Sequence, residues 1–321
     1  MKESSVNNMS FFLGIDSSNY TSSAAVINSD SMCVNNQKQL LSVPTGQLGL
    51  RQSDAVFQHV KNLPKVIEIA LNATNETISS VGVSNKPRSA EGSYMPCFLV
   101  GESIAESISS ALKIPIFRFS HQAGHIAAAL YSANSLDLLD KQFIAFHVSG
   151  GTTEAVMVTP DNQDVFNCEI IAKSLDLNFG QAVDRVGNML GLPFPSGKYI
   201  DDLAQKGSYS GKINISLKDC DCNVSGLENF CRKLFENSYS NENIARFAVE
   251  YIYKTIDGMT QALIKKYGKF PLAFAGGVMS NSIIRERMTN KYGALFAEPQ
   301  FSSDNASGIS VLTMLRFRQQ L

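Results

Sequence analysis

Two histidines four residues apart, His121 and His125, have the types and spacing to do chemistry. On a helix that spacing puts both imidazoles on one face, one turn apart, which suits two ligands of a single metal ion. The chain has only four histidines, so a pair at this spacing is informative. Gln122 follows His121, so the HExxH arrangement of zinc proteases and its glutamate base are absent. Two polar surface histidines near a helix start would show the same spacing, and the residues alone leave both readings open.

A second kind of chemistry belongs to the glycine-rich turns. The run Phe143 to Val148 is strand-like and ends at Ser149-Gly150-Gly151-Thr152-Thr153, and a second run follows from Glu154 to Thr159. Such a hairpin turn brings backbone N–H groups and hydroxyls close to a ligand, which holds phosphate without bulk positive charge. Later, Pro271 to Phe274 leads through Ala275-Gly276-Gly277 to Asn281 and a helix start, another nucleotide-type turn, though neither GxGxxG nor a P-loop. Asp184, on an amphipathic segment from Asn178 to Leu190, could take a ribose hydroxyl or a metal-bound water, or pair with Arg185 or Lys198. Asp304, in Ser302 to Asn305, reads as part of a helix cap.

These residues need elements to position them. Phe11 to Ile15 and Ala24 to Ile27 are apolar runs around a polar turn, Asp16 to Ser23, and repeat the design of the later hairpin. The pair suggests a duplicated domain, although two ordinary hairpins would look alike. Strands are expected at Ser31–Val43, Val81–Val83, Ile114–Phe119, Cys168–Ala172, Lys212–Leu217 and Ala294–Ala297, and loops at 46–49 and 85–96. Helices are expected at Asp54–Leu71 (apolar at Val56, Val60, Leu63 and Ile67, with a kink or restart at Pro64), Phe98–Leu112, from Ser120 as N-cap through the alanines to Leu130, up to Phe235, Asn243–Tyr267, and from Ser302 to Arg318.

With 321 residues, 44% hydrophobic and 18% charged, the chain is long enough for two globular domains, and its net charge of −1 gives no field that would draw nucleic acid or a membrane. Lys265, Lys266 and Lys269, or Arg285 and Arg287, could form a local basic patch, though a solvated helix face is the plainer reading. No apolar run reaches about 20 residues, the first ten residues lack a signal core, and the six cysteines show no disulfide framework; Cys220-Asp221-Cys222 is a weak metal signal. A cytoplasmic, reduced protein without membrane contact is expected.

GIDSS (14–18), HQAGH (121–125), VSGGTT (148–153), GQAVDRVGNMLGLPFPSG (180–197), VSGL (224–227), AGGVMSN (275–281) and SDNAS (303–307) follow one another in an order and spacing that resemble the threonylcarbamoyl transferase family, historically called glycoproteases. The resemblance covers nearly the whole chain. It implies an α/β, two-lobed fold of the actin, sugar kinase and Hsp70 group, with lobes at 10–130 and 131–321, the last helix packing back on the first lobe, and a nucleotide cleft. It implies one divalent metal, Fe or Zn by its donor set, on His121, His125 and Asp304. It places an adenine nucleotide or threonylcarbamoyl-adenylate on His147, Val148, Ser149, Gly150, Gly151, Asp184, Gly197 and Asn281. It names no catalytic acid or base.

The activity so implied is transfer of threonylcarbamoyl to N6 of adenosine 37 in tRNA, with pairing through the first lobe to itself or to a homologous protein, and recruitment of a small ATPase. The chain departs from the family pattern at four places, three of them in the first lobe. Asn19-Tyr20 stands where an acidic pair is usual, Leu48 to Ser53 lacks a Pro-Glu, the loop 85–92 is altered, and Thr152 replaces a histidine. The alternative is therefore a diverged paralogue that binds nucleotide and metal as a regulatory or scaffold partner. Peptidase activity has no support in the residues.

Overall fold

In the computed structural model the first apolar run is a fully buried strand, β1 (Phe11–Ser18), hydrogen-bonded along its length to β2 (Thr21–Asn28). Residues 9–18, 20–30, 33–43, 49–74, 76–302, 304 and 306–320 are described, with the side chains of residues 33, 34 and 299 left aside; the expected loop residues 46–48, and Ser303 and Asn305 of the expected cap, lie outside them. The polar stretch expected as a turn is mostly strand, and several of its buried side chains find partners inside. Ser17 Oγ donates to the Cys97 carbonyl (3.0 Å) and accepts from the Gly101 N–H (3.2 Å), and Ser22 Oγ meets His59 Nδ1 at 2.8 Å.

Two compact units make up the chain: residues 1–131, 161–167 and 304–321, and residues 132–160 and 168–303. In the first, β3 (Cys33–Leu40), β4 (Ile78–Lys86) and β5 (Ile116–Ser120) join β1 and β2 in the sheet order β3-β2-β1-β4-β5. The pairings β1–β2 and β2–β3 are antiparallel, and β1–β4 and β4–β5 parallel. The helices α1 (Gln52–Leu71), α2 (Phe98–Leu112) and α3 (His121–Ser132) complete the run. Helix α1 continues through Pro64, and its buried face is Ala55, His59, Leu63, Val66, Ile67 and Ala70. This face is turned by about one residue from the expected stripe, which leaves Val60 more than half exposed.

The second unit repeats the sheet. The strands β6 (Phe143–Val148), β7 (Thr153–Asp161), β8 (Val165–Lys173), β11 (Leu272–Ala275) and β12 (Leu295–Phe296) lie in the order β12-β11-β6-β7-β8, so its opening strand is again central, between a hairpin and parallel neighbours. Between β8 and β11 come α4 (Phe179–Met189), α5 (Gly197–Ala204), the small β9–β10 hairpin (Ser216–Lys218, Asp221–Asn223), α6 (Gly226–Glu236) and α7 (Asn241–Tyr267). Then follow β11 (Leu272–Ala275), α8 (Ser282–Tyr292) and β12 (Leu295–Phe296). Of the strand expected at 212–217 only its end is strand. Phe146, Phe274 and Phe296 occupy matching positions on three adjacent strands, and their rings stack at 4.8 and 4.9 Å through the core.

The C-terminal helix (Ser307–Arg318) belongs to the first unit. Small residues let it lie directly on the sheet and on α3: a Cβ on Gly14 would sit 2.7 Å from the Ala306 carbonyl oxygen, and one on Gly308 2.8 Å from the Ala128 nitrogen of α3. Ser310 Oγ donates to the Phe12 carbonyl at 2.8 Å, and Phe12 packs on Phe317 at 5.4 Å. The helix starts later than the sequence suggests, with Ala306 at its N-cap. Asp304 is thereby released from capping.

Candidate metal centre and nucleotide pocket

Helix α3 is buried from Gln122 to Leu130, and its alanines let it pack at close range. Ser120 Oγ accepts from the Ala123 N–H at 3.1 Å, which is the N-cap the sequence suggests. The helix places His121 and His125 edge to face with ring centroids 4.4 Å apart. Their Nε2 atoms are 3.0 Å apart, and Asp304 Oδ1 lies 3.4 Å from the first and 3.3 Å from the second. Bonds of about 2.0–2.2 Å to a tetrahedral metal separate neighbouring ligand atoms by about 3.3 Å. The triangle has that size, so the residues fit one divalent ion. Among the described residues this is the one cluster of His, Cys, Asp or Glu with such spacing. Cys220 and Cys222 do not join it; both are buried, and burial pushes the Cys222 thiol up to about 12.

Asp16, a residue the sequence reading placed in a turn, touches this cluster from behind. Its side chain is fully buried at the end of β1, and its Oδ1 lies 2.8 Å from His121 Nδ1 and accepts from Ser84 Oγ. Burial works against charge here, yet the charges hold each other. Burial would lower the basicity of His121, but Asp16 and Asp304 lift it to about 10. Burial would raise Asp304, but His121 and His125 bring it well below the carboxylate range; His121 does the same, less strongly, for Asp16.

A separate cavity of about 460 Å³ lies within the second unit. Gly150, Asp184, Gly197 and Asn281 line it, with Gly180, Lys198 and Asp201 among their neighbours. The β6–β7 turn and α4 form one wall. Gly180 N–H donates to the Ser149 carbonyl (3.1 Å) and Phe179 N–H to Thr153 Oγ1 (2.9 Å), and a Cβ on Gly180 would meet Gly150 Cα at 2.6 Å. Asp184 Oδ1 accepts from the Ser196 N–H at 2.8 Å rather than pairing with Arg185, which binds Glu228, or with Lys198; burial raises its pKa. Asn281 caps α8 by accepting from the Ile284 N–H (3.1 Å), and donates to Asp201 Oδ1 (3.0 Å). Gly197 opens α5, and a side chain there would meet open space. The other four expected residues do not line the cavity: His147 and Val148 are buried in β6 opposite Glu154 and Thr153, and Ser149 and Gly151 form the turn. The suspected basic residues Arg285 and Arg287 are neutralised by Glu298 and Glu250, each at 2.6 Å.

No helix among the described residues is long and apolar enough to cross a membrane. The family model for tRNA N6-adenosine threonylcarbamoyltransferase matches residues 33–311. A curated tRNA N6-adenosine threonylcarbamoyltransferase of Riemerella anatipestifer is 29% identical, over 97% of this chain and 94% of its own. Among solved structures, (R)-2-hydroxyglutaryl-CoA dehydratase component A of Acidaminococcus fermentans is similar with a TM-score of 0.57, 14% identity, and 97% of this chain and all of the other covered. A ROK hexokinase of Thermus thermophilus is similar with a TM-score of 0.51, 13% identity, and 96% and 99% covered. These likenesses show a fold shared with those proteins, and the sequence match decides the family: the chain belongs to the tRNA N6-adenosine threonylcarbamoyltransferases.

Proposed function

We propose that this chain transfers a threonylcarbamoyl group from its adenylate to N6 of an adenosine in tRNA, using a divalent metal held by His121, His125 and Asp304. The observation that carries the reading is the ligand triangle of 3.0, 3.3 and 3.4 Å, kept in a chain whose first hairpin has lost the family's usual acidic pair. A scaffold without chemistry gains nothing from bringing two imidazoles and a carboxylate together. A bound divalent ion would supply Lewis acidity to an oxygen of the transferred group. Two imidazoles and one carboxylate suit iron or zinc.

In this reading the cavity of the second unit takes the adenine nucleotide. Its volume is in the range of small-ligand sites. The glycines at 150 and 197 leave room for the ligand against the backbone. Asp184 is held by Ser196 and can accept further hydrogen bonds from ribose hydroxyls. Asn281 shapes the opposite wall as the cap of α8.

The test is a transfer assay with threonylcarbamoyl-adenylate and unmodified tRNA, with and without partner proteins, read by mass spectrometry of the nucleosides. Modified adenosine is the expected product. Absence of product under every partner combination, with metal and nucleotide still bound, would replace this reading by that of a non-catalytic partner.

A further inference from the structure

We infer that Asp16 is a positioning residue for the metal: it fixes the His121 ring in the tautomer that presents Nε2 to the ion. The inference rests on the metal site proposed above and concerns how its affinity is set.

An imidazole offers a lone pair at one nitrogen only when the other carries the proton. His121 Nδ1 lies 2.8 Å from Asp16 Oδ1, an acceptor, so Nδ1 keeps its N–H and Nε2 is the nitrogen that gives up its proton when an ion binds. Nε2 is the atom that faces His125 and Asp304. The opposite tautomer would turn a proton into the triangle and leave two lone pairs facing each other at Asp16.

Asp16 is itself held. Ser84 Oγ, on the adjacent strand β4, donates to its Oδ1, and the Ser18 N–H approaches Oδ2 at 3.4 Å. Both strands are central and buried, so this carboxylate moves only if the sheet moves. Phe98 closes against the His121 ring with centroids 6.0 Å apart. Among the described residues, His121 is the basic side chain within ion-pair distance of Asp16. A fully buried carboxylate is costly, and an apolar residue of that size would suit a central strand better unless the charge served a purpose. Carboxylates that orient a ligating histidine and raise its basicity are the general case of such a purpose, and losing one weakens metal binding by about 10–100-fold.

The experiment uses the full chain, stripped of metal and titrated with Zn²⁺ against a chelating dye. Co²⁺ is then substituted, and its visible spectrum reports the coordination geometry. Asp16→Asn keeps the shape but can no longer act as a dedicated acceptor. Ser84→Ala removes one restraint and keeps the carboxylate. His121→Ala removes the ligand itself and serves as the reference. The expected result is an affinity about 10–100-fold weaker in Asp16→Asn, with a changed Co²⁺ spectrum, and a smaller loss in Ser84→Ala. In the Zn²⁺-loaded protein the His121 Nδ1–H proton resonance should also move upfield in Asp16→Asn as its hydrogen bond to a carboxylate is lost, which a merely structural role would not predict.

Unchanged affinity in a folded Asp16→Asn, with metal lost in His121→Ala, overturns the inference and leaves the site intact. Metal retained by His121→Ala overturns the site itself. If Asp16→Asn does not fold, Ser84→Ala decides: weaker binding supports the role, and binding equal to wild type overturns it.

Discussion

His121 Nε2 and Asp304 Oδ1 stand 3.4 Å apart, one on the first turn of α3 and the other just before the C-terminal helix. The histidine's position follows from a local helix, whereas the aspartate's depends on how the end of the chain packs against β1, β2 and β4. This difference organises the expected effects of substitution.

Replacing His121 or Asp304 by alanine should abolish bound metal while the fold survives. Each supplies one of three ligand atoms and little of the core. Elemental analysis after purification should give close to one metal per chain for wild type and close to none for either variant. Full stoichiometry in both would remove the triad.

Gly308→Val should weaken metal binding without touching a ligand. A side chain there meets the Gly124 carbonyl and the Ala128 nitrogen, so the C-terminal helix must lift from α3 and carry Asp304 with it. Overpacking of this kind costs about 1–3 kcal/mol. Urea denaturation and zinc affinity should both fall; a stable variant with unaltered affinity would show that the seat of this helix does not set the Asp304 position.

Asn281→Ala should lower both stability and nucleotide affinity. The side chain caps α8 and links it to Asp201, and loss of a cap costs about 1 kcal/mol. Calorimetry with an adenine nucleotide separates the two effects. Unchanged affinity with reduced stability would leave Asn281 a structural role only.

Glu250 gives the second unit a pH dependence. Burial would raise its pKa, but hydrogen bonds and charge from Arg287 and Arg246 outweigh it and leave it below the ordinary value. A depressed folded pKa means the stabilisation is complete above the unfolded pKa, about 4.3 for glutamate, and is lost as pH falls through the folded value. Glu250→Gln should therefore cost about 2 kcal/mol at neutral pH. The gap to wild type should close as pH drops below about 4.3. A gap independent of pH would mean the ion pairs are not its source.

Much of the fold was legible in the residues because it depends on local rules. Apolar runs around a polar turn in the first and a glycine turn in the second marked both opening hairpins, and their similarity suggested a duplication, which the repeated sheet order matches. Helix α2 has the bounds its pattern suggests, and the four-residue spacing of His121 and His125 needs only a helix to bring the rings together. Where local rules misled, a tertiary partner had changed the balance. Asp16, Ser17 and Ser22 looked like turn residues because they are polar, but buried partners accept them inside a sheet. The buried face of α1 is turned by about a residue from its apolar stripe, because it takes in His59, whose Nδ1 meets Ser22 Oγ.

From the residues alone came the two opening hairpins, the helix that carries the histidine pair and the resemblance that names the family. Helical period, strand alternation and turn chemistry act between near neighbours, so they can be read along the chain. The family resemblance names Asp304 with the histidines and groups Gly150, Asp184, Gly197 and Asn281, but the packing that brings them together, and the placing of Asp16 behind His121, belong to the tertiary structure. Those juxtapositions come from close packing of distant segments through small residues such as Gly14, Gly180 and Gly308, and no spacing within a single element encodes them.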